Sequence, residues 1–115
     1  MNLSFAAWAD VLAHVESVND PEAWGDDGRA MGRWQMHPAF VREWEGPARL
    51  GMTWDDVCRE ALSRFWAEAS RLGIGDVDAA CGFHLHGQPH GNEADAPGYA
   101  ARFREWSAKL GHALA

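Results

Sequence analysis

The sequence predicts a mainly α-helical domain that contains one small, irregular β-hairpin region. Five stretches have the apolar spacing or the capping residues of helices. Another stretch, residues 22–37, lacks that spacing and carries three glycines among polar residues. At 115 residues the chain is long enough for one hydrophobic core and short for two. We therefore expect a single α+β domain over residues 1–115.

The first predicted helix runs from Ser4 to Val15. Apolar residues recur every three or four positions along it, and Ser4 can cap its N-terminus. Glu16 follows directly and borders the apolar stripe near the C-terminal end. Taken alone, a glutamate at a helix end is an ordinary surface residue.

The chain then enters a polar segment that predicts a hairpin. Asn19-Asp20-Pro21 ends the first helix, because the residue before a proline avoids the α conformation. Asp27-Gly28 is a strong hairpin-turn signal within residues 22–37. Pro38 suits the first turn of a second helix, which we expect to reach about Trp44.

Three more helices are predicted in the second half of the chain. One covers residues 53–72, with Thr53 as its cap and Gly73 at its end. A shorter, apolar helix covers residues 77–85. After a loop rich in glycine, proline and acidic residues, the last helix covers residues 97–110 and carries an apolar stripe.

Composition excludes several function classes. The formal net charge is −7, which disfavours non-specific binding to nucleic acid or to an anionic membrane. The N-terminus lacks the basic start of a signal peptide, and no apolar run reaches membrane-spanning length. Cys58 and Cys81 lack metal-ligand spacing, so we expect them to be reduced and partly buried. Seven tryptophans suit either core positions or a groove in which flat rings stack on sugars.

Three short motifs occur in a fixed order between residues 13 and 41. They are the pair Glu16-Ser17, the string WGDDGRAMGRWQ over residues 24–35, and Pro38-Ala39-Phe40. Together they resemble the lysozyme-like superfamily, particularly goose-type lysozymes and soluble lytic transglycosylases. Small phage and bacterial wall-lytic domains have a similar layout. The resemblance implies a lysozyme-like fold.

The resemblance also implies an activity, which is cleavage of the β-1,4 bond between MurNAc and GlcNAc in peptidoglycan. Glu16 would be the general acid and Asp26 a second catalytic carboxylate, for which Asp27 is a substitute. Gln35 would bind substrate in the cleft, with Ser17 as a further contact. The acid needs apolar surroundings that raise its pKa, and Glu16 is the carboxyl best placed for them.

This reading implies glycan strands as the partner, no cofactor and a monomer. The protein would be made in the cytoplasm. It would reach the bacterial wall through a holin, a virion or a secretion machine.

The chain departs from the family pattern in two places. Goose-type lysozymes have a further aspartate after the glutamine, and in this chain His37 occupies that position. The Ala-Tyr-Asn-x-Gly element of the transglycosylases corresponds most nearly to Gly82-Phe83-His84-Leu85-His86-Gly87. This stretch lacks the tyrosine hydroxyl and the asparagine. We therefore treat His37, Phe83, His84 and His86 as candidate substrate contacts. Hydrolysis and transglycosylation both remain open.

Two other function classes compete with a glycosidase. Because those family residues are missing, a catalytically inactive scaffold that binds a glycan or a protein is the main alternative. His84, His86 and His90, with His37, raise a weaker metal-enzyme reading. A zinc site needs three or four ligands, and no acidic or cysteine partner has a diagnostic spacing. We therefore expect no metal.

Overall fold

The structure confirms a mainly α-helical domain with a small antiparallel sheet. It is a computed structural model that describes residues 1–44 and 51–114. Within these residues the chain forms five α-helices and two short strands. In chain order they are α1 (Phe5–Ser17), β1 (Trp24–Gly25), β2 (Ala30–Met31), α2 (Pro38–Trp44), α3 (Trp54–Arg71), α4 (Asp76–His86) and α5 (Pro97–Lys109).

Local capping explains why the predicted helix starts are confirmed. The Ser4 hydroxyl accepts a hydrogen bond from the Ala7 amide at 3.2 Å and caps α1. Thr53 and Asp56 form a reciprocal capping box at the start of α3, with both bonds at 3.1 Å. The first helix runs two residues further than predicted, to Ser17. Glu16 therefore lies within its last turn.

An aromatic cluster forms the centre of the core. Trp8 of α1 and Phe65 of α3 have no exposed surface, and their rings stack with centroids 5.9 Å apart. Phe40 and Trp44 of α2 and Phe83 of α4 pack around Phe65 at centroid distances of 5.3–5.9 Å. The same core also includes Tyr99, Ala100 and Phe103 of α5, so it joins all five described helices.

The hairpin is the predicted β region, and it is anchored to α1. Trp24 pairs with Met31 and Gly25 with Ala30, so the sheet lies within the predicted residues 22–37. The Trp34 indole is buried and donates to the carbonyl of Ala9 in α1 at 2.8 Å. This anchor holds the hairpin against the helix that carries Glu16.

A buried carboxylate positions the start of α4. Asp76 is 5% exposed, and its side chain accepts the backbone N–H groups of Asn2 and Leu3 at 3.1–3.3 Å. Its own carbonyl accepts the Trp8 indole at 3.0 Å. These bonds tie α4 to the segment that begins α1.

The two cysteines are free and buried. Burial raises the pKa of the Cys58 thiol to about 12 and also raises the pKa of Cys81, so neither is a reactive thiolate at neutral pH. Among the described residues no helix is long and apolar enough to cross a bilayer.

Candidate active site

A cavity of about 620 Å³ lies where the end of α1, the hairpin, α2 and the end of α4 meet. Seven of the nine predicted site residues line it. They are Glu16, Asp26, Gln35, His37, Phe83, His84 and His86. The rest of the lining is Ala30, Met36, Ala39, Phe40, Glu43, Leu85 and Gly87. The volume is within the usual range for a small-molecule site.

Glu16 is a partly buried carboxyl on the α1 side of this cavity. Burial raises its pKa from the ordinary 4.5 to about 7, because the charged form loses its hydration. A hydrogen bond from Tyr99 and the positive charge of Arg102 oppose the rise and offset part of it. A large fraction of the carboxyl is therefore protonated near neutral pH, as a proton donor requires.

Tyr99 of α5 is the neighbour of Glu16 that the sequence did not reveal. Its hydroxyl lies 3.4 Å from Glu16 Oε2. The ring stacks on His84 with centroids 4.1 Å apart, and the Arg102 guanidinium lies 5.6 Å from its centre. Burial and the nearby Glu16 raise the pKa of Tyr99 well above its usual value. The phenol therefore stays protonated and acts as a donor to Glu16.

His84 belongs to the same apolar side. Burial, and secondarily the charge of Arg102, lower the pKa of His84. The imidazole is therefore mostly neutral at pH 7 and adds no fixed positive charge next to Glu16. Phe83 beside it is 9% exposed and belongs to the aromatic core. This side of the cavity is therefore mostly aromatic, with Arg102 as the nearby cation.

The hairpin side carries an exposed charge pair. Asp26 Oδ2 lies 3.1 Å from His37 Nε2, and Asp26 Oδ1 lies 3.4 Å from Arg29 Nη2. The side chains of Asp26 and His37 are 50% and 47% exposed. The two residues lie eleven positions apart in sequence, and the hairpin brings them into contact.

Gln35 lines the cavity and also braces the hairpin. Its amide nitrogen donates to the carbonyls of Ala23 at 3.2 Å and Gly32 at 2.9 Å. Its side-chain oxygen lies so close to Gly25 that a β-carbon there would approach it to 2.2 Å. Gly25 has an extended backbone that any residue adopts, so the site needs glycine for space alone.

Two predicted site residues do not line the cavity. The Ser17 hydroxyl donates to the carbonyl of Arg33 at 2.7 Å and accepts from the Asp20 amide at 2.9 Å, which ties α1 to the hairpin. Asp27 is exposed in the turn, in a left-handed backbone conformation with φ of 56°. Ser17 therefore connects α1 to the hairpin, and Asp27 lies at the tip of the hairpin turn.

Glu43 is a third carboxylate in the cavity that the sequence did not single out. It projects from α2 and accepts a hydrogen bond from the Gln88 side chain, which follows α4. The sequence did not mark Glu43 as a site residue, because charged residues are common on the exposed face of any helix. Glu43 therefore adds negative charge to the cavity rim.

The histidines do not assemble a recognisable metal site. Within residues 1–44 and 51–114, no three His, Cys, Asp or Glu side chains are grouped as a metal ion requires. His84 stacks on Tyr99, His37 pairs with Asp26, and His90 is outside the cavity lining.

Comparisons with models of known protein families, with curated proteins and with solved structures found no match to this chain. The cavity chemistry and the motifs in residues 13–41 are therefore what indicate a function.

Proposed function

We propose that this protein cleaves peptidoglycan glycan strands as a glycosidase, with Glu16 as the general acid. One observation carries the proposal. The Glu16 carboxyl sits on the wall of a cavity of about 620 Å³, where burial raises its pKa to about 7. A glycosidase of this type must hold one carboxyl protonated at working pH so that it can protonate the leaving oxygen.

The substrate class comes from the lysozyme-like resemblance of residues 13–41. Glu16, Asp26 and Gln35, three of the residues that carry the resemblance, line one cavity although the chain separates them. The apolar floor of Phe40 and Phe83 suits the flat faces of sugar rings. The bond cleaved is the β-1,4 linkage between MurNAc and GlcNAc, by a muramidase or a lytic transglycosylase.

A non-enzymatic glycan-binding module is the second candidate. The absence of the goose-type aspartate at His37 favours it, as does the absence of the transglycosylase tyrosine and asparagine near Phe83 and His84. The raised pKa of Glu16 weighs against it, because glycan binding alone does not require a protonated carboxyl.

The test is clearance of purified peptidoglycan by the wild-type protein and by Glu16→Gln at pH 6. We expect Glu16→Gln to lower the rate by at least 10²–10⁴, the usual contribution of a general acid. Glu105→Gln is the matched control, because Glu105 is exposed on α5 away from the cavity. Clearance by Glu16→Gln at the wild-type rate contradicts the acid assignment.

Sedimentation of the protein with the same peptidoglycan separates the two candidates. A wild-type protein that binds the polymer and releases no fragments is a binding module. Mass spectrometry of released fragments then separates the two enzymes. Hydrolysis leaves reducing muramic ends, whereas a transglycosylase leaves 1,6-anhydro ends.

A further inference from the structure

We propose that His37, oriented by Asp26, is the base that activates water for glycosidic hydrolysis on the hairpin side of the cavity. This inference rests on the proposed function and deepens it, because it assigns the second half of the reaction and selects hydrolysis. Asp26 then becomes a positioning residue, and His37 becomes the catalytic residue that contacts the reacting water.

The Asp26 carboxylate already has two close neighbours. One of its oxygens, Oδ1, faces Arg29 Nη2 at 3.4 Å, and the other, Oδ2, faces His37 Nε2 at 3.1 Å. Both oxygens are therefore already engaged by donors. A water molecule held by Asp26 would share these oxygens with the two groups that already face them.

The contact with Asp26 also favours one tautomer of the His37 ring. A carboxylate oxygen 3.1 Å from Nε2 repels a lone pair on that nitrogen, so the neutral ring carries its hydrogen on Nε2. The other nitrogen, Nδ1, then has a free lone pair and makes no hydrogen bond to any described residue. His37 lines the cavity and is 47% exposed, so this lone pair is open to water.

Turns hold the backbone of both residues in place. Asp26 begins a short 3₁₀ turn, and its carbonyl accepts the Arg29 side chain at 3.2 Å and the Arg29 amide at 3.1 Å. The His37 carbonyl accepts the Phe40 amide at 3.0 Å at the start of α2. The pair is therefore set by two turns before any substrate arrives, as a catalytic dyad requires.

The reaction balances without any further group. Glu16 gives its proton to O4 of the leaving GlcNAc as the bond from C1 of MurNAc to O4 breaks. Water forms the new bond to C1 and gives a proton to His37 Nδ1. Solvent then returns that proton from His37 to the Glu16 carboxylate. No electrons are transferred, and the anomeric configuration inverts because water attacks from the face opposite the leaving group.

Several charged and titratable groups lie near His37 or line the same cavity. Asp26 contacts it directly, and Arg29 lies behind Asp26. Glu16 from α1, Glu43 from α2, and His84 and His86 from α4 line the same cavity. None of these outer groups has a contact with His37 as short as that of Asp26.

The experiment compares His37→Ala, Asp26→Asn and the control His90→Ala on purified peptidoglycan. His90 is exposed and does not line the cavity. We expect His37→Ala to lower kcat by about 10²–10⁴ with little change in KM, as for loss of a general base. Asp26→Asn should lower kcat by a smaller factor, since the imidazole remains. Added imidazole should restore part of the rate of His37→Ala and none of the rate of Asp26→Asn.

Each alternative result is distinguishable. A larger loss for Asp26→Asn than for His37→Ala, with no rescue by imidazole, makes Asp26 the base and overturns the inference. Products with 1,6-anhydro ends overturn it also, while the glycosidase and the acid Glu16 stand. If the wild-type protein releases no fragments at any pH, the proposed function itself is overturned. Circular dichroism checks folding, and His37→Gln repeats the test if His37→Ala unfolds.

Discussion

The two walls of the cavity are held by different physics. The Glu16 wall is formed by three helices, is close to the aromatic core and carries few charges, and Tyr99 and His84 stack within it. The hairpin wall has strands of only two residues each, an exposed ion pair and three non-glycine residues in left-handed conformations, Asp26, Asp27 and Gln35. Packing therefore sets the first wall, and local backbone turns set the second.

This difference fits the separate roles that we propose for the two carboxylates in the cavity. Burial removes water from the Glu16 carboxyl and raises its pKa to about 7. Asp26 stays half-exposed between two cationic or donor groups. An acid that must keep its proton belongs on the wall set by packing, and a charged positioning group belongs on the wall that water reaches. Substitutions on the two walls should therefore differ in kind.

The largest expected effect is on the support of the Glu16 wall. Phe65→Ala should lower the free energy of unfolding by about 3–5 kcal/mol, because Phe65 is fully buried and contacts Trp8, Phe40, Trp44 and Phe83. Urea denaturation measures the loss. Leu72→Ala, 39% exposed after α3, is the control and should cost less than about 1 kcal/mol. Similar losses in the two variants would contradict a wall set by packing.

The next effect is the pH dependence that the buried acid gives to stability. The folded-state pKa of Glu16 is raised, so its contribution to stability is fully present below about pH 4.5 and is lost as the pH rises through about 7. Glu16→Gln removes that penalty. At pH 8 it should therefore be more stable than the wild type by roughly 2 kcal/mol, allowing for its partial exposure. At pH 5 the two should unfold at similar urea concentrations.

Asp26→Asn is the matched comparison for the other wall. Its exposed ion pairs with Arg29 and His37 are worth about 0–1 kcal/mol, so the variant should be no more stable than the wild type at pH 8. Equal gains from Glu16→Gln and Asp26→Asn would mean that the two walls do not differ in the way described.

The predictability of the fold follows the same division. Ser4, Thr53 and Gly73 act through neighbours a few residues away, so helix boundaries could be predicted to within two residues. Asp27-Gly28 predicted the hairpin for the same local reason. Tyr99 could not be assigned, because a tyrosine in an apolar stripe reads as core and its partner Glu16 is 83 positions away.

The candidate site shows the same limit. Seven of the nine site residues predicted from the sequence line one cavity. Ser17 belongs to the Glu-Ser motif and Asp27 adjoins Asp26, but adjacent side chains point in different directions at a helix end or in a turn. The pairing of His37 with Asp26 depends on how the turn closes, which spacing alone does not determine.

A smaller effect is expected from filling the space beside Gln35 on the hairpin wall. A methyl group in Gly25→Ala would displace the Gln35 side chain and break its two bonds to Ala23 and Gly32, at a cost of about 1–2 kcal/mol. Gly98→Ala is the control, since its added carbon makes only an ordinary contact at 3.7 Å. Thermal melts should show the difference. If both variants melt alike, Gln35 does not brace the hairpin.

The smallest effect is expected from Tyr99→Phe, which keeps the ring on His84 and removes only the hydroxyl. The hydrogen bond to Glu16 is long, at 3.4 Å, and it lowers the pKa of Glu16. Without it the pKa of Glu16 rises further, so the alkaline limb of kcat/KM should move to higher pH. The maximal rate should change by no more than about tenfold, because one hydrogen bond is worth about 0.5–1.5 kcal/mol.

Arg102→Lys is the matched control for that shift, since it keeps the positive charge that also lowers the pKa of Glu16. Its pH profile should overlay the wild-type profile. Arg102→Ala should move the alkaline limb in the same direction as Tyr99→Phe, because loss of the cation also favours the protonated carboxyl. A limb that moves to lower pH in Tyr99→Phe would show that the phenol stabilises the protonated form of Glu16. The Tyr99 oxygen would then accept a hydrogen bond from the protonated carboxyl, and the wall set by packing would keep the Glu16 proton by hydrogen bonding as well as by burial.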